Sequence, residues 1–360
     1  MRQPDPLGQV RQGRGATANL PGRFETRPVE PFDDGWGGLD LPLEALTTTV
    51  REEASKSILT KNDSPDIPFD VSLNAYRGCE HGCVYCFART SHAFLDMSPG
   101  LDFETKLVAK TNAAERLEQT LRKPRYEVRP IAIGTNTDSY QPIEKRYEIT
   151  REVLKVLDRF RHPVTIVTKS AMILRDLDLL VSLAKDRLVH VYISVTTLDG
   201  ELARRMEPRA AAPLRRIETL KRLHEAGVPV GVLAAPMIPT LNDHELEPIA
   251  EAAKEAGAYN LGYILLRLPH EVAPLFERWL ETYYPTKAKH VLSVMRQLRG
   301  GKLYRAEWGK RMRGSGPFAD LLRVRFERVT RELGLDRRRP PLNVEAFSPP
   351  AQRGDQVSLF

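Results

Sequence analysis

An α/β fold on a parallel sheet, wrapped like a barrel, is what this sequence predicts, and two observations predict it. From Asp70 onward, short strand-like apolar runs alternate with helix-like segments of about 10–15 residues, the pattern of βαβ units. The alternation repeats six times, enough for a barrel-like wrap. The size agrees: 360 residues at 41% hydrophobic content can bury one large α/β domain or two ordinary ones.

The elements follow in order. Val71–Ala75 reads as a short strand, and a cysteine loop comes directly after it. Phe103–Val108 alternates like a strand, and Asn112–Leu121 is helical, with Ala114, Leu117 and Leu121 at helical spacing. Ile131–Ile133, Val164–Val167, Leu188–Val195, Val228–Ala234 and Ala258–Leu266 are the later strands. The helices between and after them are Thr150–Phe160, Met172–Ala184, Pro213–Ala226 and Val272–Thr282. Gly227 is the expected left-handed stop of one helix. Asn242 with Glu245 three residues on resembles a capping box for the helix between the last two strands.

Four regions result. Residues 1–65 form a polar arm rich in Gly, Pro, Arg and Asp, in which Gln12–Thr17 and Gly35–Gly38 are unsuited to regular structure. Arg11, Arg14 and Arg23 lie in it, read as part of a tethering segment. Residues 66–285 are the α/β core, 286–339 a basic helical extension, and 340–360 a Pro-rich linker and tail. The net charge is +7, and Arg299–Arg339 holds 13 Lys/Arg against 5 Asp/Glu. The excess is one block, the electrostatic footprint of a polyanion partner or else a solvated helix face. No apolar run approaches the length of a membrane span, and the N-terminal stretch lacks the apolar core of a secretory signal. The expected compartment is the cytoplasm.

All three cysteines stand in Cys79-Glu80-His81-Gly82-Cys83-Val84-Tyr85-Cys86, spaced C-x3-C-x2-C. Three thiolates are one ligand short of a four-iron cluster, so one iron would be left open for chemistry. A closed zinc site with His81 or His92 as fourth ligand is the alternative use of the same thiols. A disulfide would strand one cysteine.

The spacing resembles the signature of the radical S-adenosylmethionine (SAM) superfamily. That resemblance implies a [4Fe-4S] cluster on Cys79, Cys83 and Cys86 whose open iron takes SAM. It also implies reductive cleavage of SAM to a 5′-deoxyadenosyl radical that abstracts hydrogen from a substrate. It turns the barrel-like wrap into a partial (β/α)6 TIM barrel, with the site in the loops after the strands. An external reductant, such as flavodoxin or ferredoxin, would supply the electron.

The strand ends carry the resemblance further. Tyr85 matches the family's aromatic beside the cluster–SAM pocket, Phe87 would face the same cavity, and Arg89 is a candidate for compensating cluster charge. After the second strand, Gly134-Thr135-Asn136-Thr137-Asp138-Ser139-Tyr140-Gln141-Pro142 offers hydroxyls, an amide and a carboxylate for the ammonium of SAM, or else an Asx-type turn. Thr137-Asp138 resembles the Ser-Asp of the spore photoproduct lyase family, where most radical SAM enzymes carry a Gly-Gly-Glu-like element. Lys169 after the third strand matches a SAM contact of that family, and Ser194 at the end of the fourth matches a ribose or carboxylate contact. Arg209 is a candidate for the SAM carboxylate. Pro236 and its neighbours resemble the apolar wall beside adenine, and Arg267 would point into the cavity as a substrate contact.

The resemblance covers roughly residues 70–285 and extends to the lyase-like proteins often labelled DNA repair photolyases. It implies a nucleic acid lesion as substrate, most naturally in DNA. The lyase quenches its product radical with a cysteine in the loop after the second strand, and here Thr135 stands at that position. Tyr140 or Tyr85 is the candidate hydrogen relay instead. Radical chemistry on RNA, a peptide or a small molecule is the second reading. A non-catalytic iron–sulfur DNA-binding protein is the third, and it would be expected to carry four cysteines.

Outside the core, Lys287–Leu298 and Pro317–Leu333 read as helices, the latter laced with Arg323, Arg325, Arg328 and Arg331 as a candidate basic lip beside the mouth. The tail Gln356-Val357-Ser358-Leu359-Phe360 resembles the Q-x-[SD]-L-F peptide by which bacterial repair and replication proteins dock on the β sliding clamp. An extended tail that orders on binding would hold such a partner with modest affinity.

Overall fold

The computed structural model describes residues 13–25, 46–337 and 340–351. The tail motif Gln356–Phe360, the stretch Gly35–Gly38 and Arg11 lie outside the described residues. The chain enters through β1 (Thr49–Glu53), β2 (Leu59–Lys61), β3 (Val71–Leu73) and β4 (Tyr76–Arg77). After the cysteine loop come a 3₁₀ helix, Phe87–Leu95, then α1 (Asp102–Thr105), β5 (Lys106–Lys110) and α2 (Ala113–Leu121). The repeat continues as β6 (Ile131–Ile133), α3 (Glu144–Tyr147), α4 (Ile149–Arg159), β7 (Val164–Thr168), α5 (Leu177–Lys185) and β8 (Val189–Ser194). It closes with α6 (Gly200–Met206), α7 (Pro213–Glu225), β9 (Val230–Met237), α8 (Leu246–Glu255), β10 (Leu261–Leu265) and α9 (Val272–Tyr283). Beyond it stand α10 (Pro285–Leu298) and α11 (Pro317–Leu333).

Seven strands form one sheet in the order β10-β9-β8-β7-β6-β3-β2. The six from β3 to β10 are parallel neighbours, and β2 adds an antiparallel edge. The two ends of the sheet do not pair, so the barrel is partial, a (β/α)6 arrangement. Burial explains the composition: every residue of β6 and β8 is buried, as expected of parallel strands covered on both faces. The helices supply the outer cover. In α4, Ile149, Val153, Leu154, Val156 and Leu157 are buried along one stripe. Gly227 ends α7 at φ 80°, and the Val228 N–H returns to the Leu223 carbonyl at 3.0 Å. The free edge of β10 is covered by the extension: Leu261 N–H donates to the Leu335 carbonyl and Leu265 N–H to that of Met312.

Several expectations are corrected. Phe103–Val108 is not one strand: α1 takes Asp102–Thr105 and β5 begins at Lys106. The helical turn buries Phe103 and Glu104 together against the cysteine loop, a tertiary demand that alternation cannot reveal. Met172–Ala184 splits into a 3₁₀ helix, Ala171–Asp176, and α5, because the buried Asp176 carboxylate turns to Arg151 at 2.9 Å and Arg175 at 2.8 Å. Asn242 is no side-chain cap. Its amide accepts from Ile238 N–H and donates to the Thr196 and Pro236 carbonyls, while Glu245 accepts from Thr197, Leu198 and Asp199. The pair fixes the loop after β8. The arm before residue 65, read as partly irregular, also holds the short strands β1 and β2. The basic block is partly neutralised within the fold: Arg325 pairs with Glu247 and Arg311 with Asp66, and Arg299 is buried on the Leu266, Lys310 and Arg311 carbonyls. No helix among the described residues is long and apolar enough to cross a membrane.

Residues 340–351, read as linker, lie along the helical layer. Asn343 N–H donates to the Arg187 carbonyl, Ser348 N–H to that of Phe160, and Arg122 to that of Pro350. Phe347 packs edge-on against His162, with ring centroids 5.5 Å apart, and beside Tyr126. His162 is fully buried between the Tyr126 hydroxyl and the Pro163 carbonyl, and burial pushes its pKa down from 6.5 to about 4. The native state therefore binds fewer protons than the unfolded chain between those values. Stability is full above pH 6.5 and falls as the pH drops toward 4, by about 3 kcal/mol. Urea unfolding from pH 7.5 to 4.5 should show this slope, and His162→Gln should flatten it.

Candidate functional site

The cysteine loop follows β4 and sits at the C-terminal ends of the parallel strands. It bends at Gly78 and Gly82, with φ of 76° and 69°, a region open to glycine. A Cβ on Gly78 would stand 2.6 Å from Leu107 and 2.8 Å from the Phe103 carbonyl. Cys79 N–H donates to that carbonyl at 2.9 Å, and Val84 N–H to the Met206 carbonyl at 3.0 Å. The three cysteines are free thiols, Cys79 and Cys83 buried and Cys86 partly exposed, so the loop opens to the barrel mouth on the Cys86 side.

Arg89 is the frame of this loop rather than a free counter-charge. Fully buried, it donates to the Cys83 carbonyl at 2.8 Å, the Gly82 carbonyl at 3.0 Å and the Pro99 and Gly100 carbonyls. Its remaining partner is the equally buried Glu104 carboxylate, at 2.5 Å. Glu104 in turn accepts the Gly15 and Ala16 N–H groups, at 3.0 and 2.8 Å. Arg14 anchors the same segment on the carbonyls of Glu104 and Leu46, and Arg23 pairs with Glu271, so both tether. Residues 13–19 thus lie as a strap against the cysteine loop. A Cβ on Gly15 would fall 1.7 Å from the Gly82 carbonyl oxygen. Gly15→Ala is expected to displace the strap and lower stability by about 1–3 kcal/mol, read as a drop in the urea midpoint.

The loop after β6 grips the other side. Gln141, fully buried, accepts from Glu80 N–H at 2.9 Å and donates to the Gly78 carbonyl at 3.1 Å. The Asp138 carboxylate accepts from Thr168 and from Tyr140 and Lys169 N–H groups, and stands 3.3 Å from His81 Nδ1. Burial pushes this carboxyl up, but His81 and those donors outweigh it and hold it at about 2. Thr137 donates to the Tyr76 carbonyl. The Asp138 and Thr137 side chains therefore shape the loop through partners of their own.

The third wall comes from β7 and β8. The Lys169 ammonium donates to Ser194 Oγ at 3.1 Å and lies 5.9 Å from the Tyr85 ring centre. The Tyr85 hydroxyl donates to Glu207 and meets Thr196 Oγ1 at 3.2 Å. Glu207 is ion-paired with Arg216, both fully buried, and Arg216 also donates to the Ser194 carbonyl. Burial pushes Glu207 up, yet Arg216 and Lys169 hold it near 2. Burial also pushes the Cys79 and Cys83 thiols up, Cys83 to about 12, with Glu207 adding to the rise at Cys83 and Lys169 opposing it.

These two buried thiols ionise readily only when a cation binds them, as a coordinated metal does. The donor set fits an iron–sulfur cluster, in which each thiolate takes its own iron. Among the described residues, no three His, Cys, Asp or Glu side chains are placed to hold a single metal ion.

The structure thus brings Cys79, Cys83, Cys86, Tyr85, Asp138, Lys169 and Ser194 to one mouth. Arg267 joins them beside Cys86, its guanidinium carbon 4.6 Å over the half-exposed Phe87 ring. Arg209 stands there too, but its guanidinium is held by Glu80 at 3.0 Å. Tyr140 is turned into the core, with Asp176, Glu144 and Arg175 as charged neighbours, and no hydrogen bond joins it to the thiols. Sequence reasoning missed Gln141, Glu104 and Arg216 as builders of the site. Each is a buried polar residue whose partner lies elsewhere in the chain, and only the conjunction of Glu207 with the arginines after it gave any signal.

Residues 73–253 match the Radical SAM superfamily. An uncharacterised protein of Mycobacterium tuberculosis is 36% identical over 240 residues, covering 66% of this chain and 71% of the relative. Another, from Methanocaldococcus jannaschii, is 30% identical over 213 residues, 59% of this chain and 76% of its own. Among solved structures, a spore photoproduct lyase carrying a cysteine-to-serine substitution superposes with a TM-score of 0.58 at 15% identity, over 87% of this chain and 86% of that one. A spore photoproduct lyase complexed with dinucleoside spore photoproduct superposes at 0.56 and 14% identity, over 79% of each chain. At such identity the likeness is one of fold. The family match and the three-thiol loop at the mouth of a partial barrel lead to one conclusion: the chain is a radical SAM enzyme, a member of the radical SAM superfamily.

Proposed function

We propose that this enzyme holds a [4Fe-4S] cluster on Cys79, Cys83 and Cys86, cleaves SAM reductively and abstracts hydrogen from a lesion in nucleic acid, most naturally DNA. The observation that carries the reading is the convergence of Tyr85, Lys169 and Ser194 beside Cys83, on the side where Cys86 is open. When bound, the cluster and SAM supply the radical, with an electron from a flavodoxin- or ferredoxin-type donor. The chain supplies binding and aim. Lys169 presents a cation to SAM's carboxylate, Ser194 a hydroxyl to its carboxylate or ribose, and Tyr85 an aromatic face fixed by Glu207. Arg209 exchanges Glu80 for a SAM carboxylate in this scheme, and the backbone around Thr137 and Asp138 receives the ammonium.

The nucleic acid reading draws support from the rim. Phe87 is 40% exposed and Phe94 70%, both on the 3₁₀ helix that follows Cys86. Arg267 stacks on the first, and Arg23 lies 5.2 Å from the centre of the second. Aromatic faces interleaved with arginine suit an unstacked base. The fold likeness to a lyase solved with a dinucleoside lesion points the same way. Of the two tyrosines proposed to relay hydrogen, Tyr85 borders Cys83. The tail Gln356–Phe360 is proposed to dock on a sliding clamp, and the enzyme to work in the cytoplasm.

The test is anaerobic. Reconstituted enzyme with dithionite and SAM should yield 5′-deoxyadenosine, and deuterated lesion-bearing oligonucleotides should transfer label into it. No 5′-deoxyadenosine would sink the radical assignment; product without label from any oligonucleotide would sink the substrate.

A further inference from the structure

Arg267 is half-buried at the mouth, and among the described residues it has no hydrogen-bond acceptor and no carboxylate at ion-pair distance, only the Phe87 ring beneath it. A guanidinium has five donors, and leaving them unpaired out of bulk water is costly. Its electrostatic neighbours are Tyr304, Arg311, Cys86 and Asp66. Arg311 already has its carboxylate in Asp66, at 2.5 Å, so the local balance stays positive.

Tyr304 leads from there into a cavity of about 350 Å³ lined by Gly300, Lys302, Tyr304, Arg305, Ala306 and Glu307. Lys302 and Arg305 are exposed on its wall. Glu307 is the one acid of the lining and pairs with Arg305 at 3.3 Å and Lys310 at 2.8 Å, exposed contacts that a stronger anion can displace. Gly300 turns at φ 63°, and a Cβ there would stand 3.1 Å from Arg305, so the backbone and this cation are closely fitted. Cations therefore run from the open side of the cysteine loop, through Arg267 and Tyr304, to Lys302 and Arg305.

We propose that the 300–307 loop is a phosphodiester-binding track for the strand that carries the reacting base. Arg267 holds the phosphate nearest the mouth, Lys302 and Arg305 hold one each of the next two along the cavity, and the base lies over Phe87 facing Cys86. The proposal rests on the nucleic acid reading above and adds to it where the strand enters. A single strand suits the track because each step of backbone exposes both a phosphate and a base face.

The probe is a fluorescein-labelled single-stranded DNA oligonucleotide, titrated anaerobically with reconstituted enzyme and followed by anisotropy over a salt series. The variants are K302A/R305A and, as a charge-matched control on the outer face of α7, K221A/R222A. Losing two phosphate contacts should lower the slope of log K against log salt by about 1.4 and weaken binding about 25-fold at 0.1 M salt. The control should bind like the wild type. Cluster absorbance per chain verifies that all forms are intact. If the wild type binds and K302A/R305A is indistinguishable from the control, the track is overturned while the nucleic acid reading stands. If the wild type itself shows no binding at low salt, the nucleic acid reading falls and the track with it.

Discussion

Cys83→Ala is expected to abolish both the cluster absorbance and the formation of 5′-deoxyadenosine, while leaving a folded protein. The two effects separate because the loop around this residue is held by its backbone. Arg89 donates to the Cys83 carbonyl, and Val84 N–H to that of Met206. Neither contact involves the thiol. The side chain itself is buried beside Glu207 and Lys169, where burial outweighs the help of Lys169 and a bound metal would supply the missing stabilisation of its thiolate. Removing it would leave two thiols for the proposed cluster, which needs three from the protein. Far-UV circular dichroism should be unchanged, and iron content should fall to background. Cluster and cleavage retained in this variant would contradict the assignment of the thiols.

Glu104→Ala should have the opposite profile, with damage to the fold first and to the cluster as a consequence. Glu104 is fully buried and holds Arg89 on one side and the N–H groups of Gly15 and Ala16 on the other. Its loss leaves a buried guanidinium without its counter-charge, a defect worth about 3–5 kcal/mol. Two strap N–H groups lose acceptors in addition. The expected result is a large drop in the urea midpoint of the cluster-free protein and poor cluster retention after reconstitution. Removing both charges should be milder than removing one. Glu104→Ala combined with Arg89→Met is expected to recover part of the midpoint, although the Gly82 and Cys83 carbonyls then lack their donors. If the double variant is no better than Glu104→Ala alone, the pair is not what the single variant breaks.

These residues mark the border of what the sequence makes legible. The six strands of the barrel could be read because they are largely buried, β6 and β8 throughout, and stand out as short apolar runs between amphipathic helices. The thiol loop could be read because cysteine is rare in this chain and its spacing is specific. Glu104 could not, since it lies inside a run that alternates like a strand and its partners are 15 and about 90 residues away. Gln141 sits next to Tyr140 in a polar loop, and nothing local says which of the two faces the thiols. The structure turns Gln141 to the loop carbonyl of Gly78 and Tyr140 to the core. Asn242 and Glu245 have the spacing of a cap, yet the neighbouring loop after β8 offered unpaired backbone groups and took both side chains. Buried polar partnerships are set by which loops meet at the strand ends, and that is a property of the closed topology.

The course of residues 340–351 has a consequence for how two macromolecules could be held at once. Asn343, Ser348 and Pro350 meet the chain just past the C-terminal ends of α5, α4 and α2. In a barrel of parallel strands those ends crowd the floor, where each strand begins, away from the rim where the thiols open. Four residues separate Ala351 from Gln356 in the sequence, a reach of at most about 18 Å. On the reading proposed above, a partner that takes Gln356–Phe360 would be met from the side where residue 351 lies, and the rim would stay clear for a strand. Such an attachment would raise the effective concentration of the enzyme along the nucleic acid that the proposed clamp encircles, without occupying the entrance it must use.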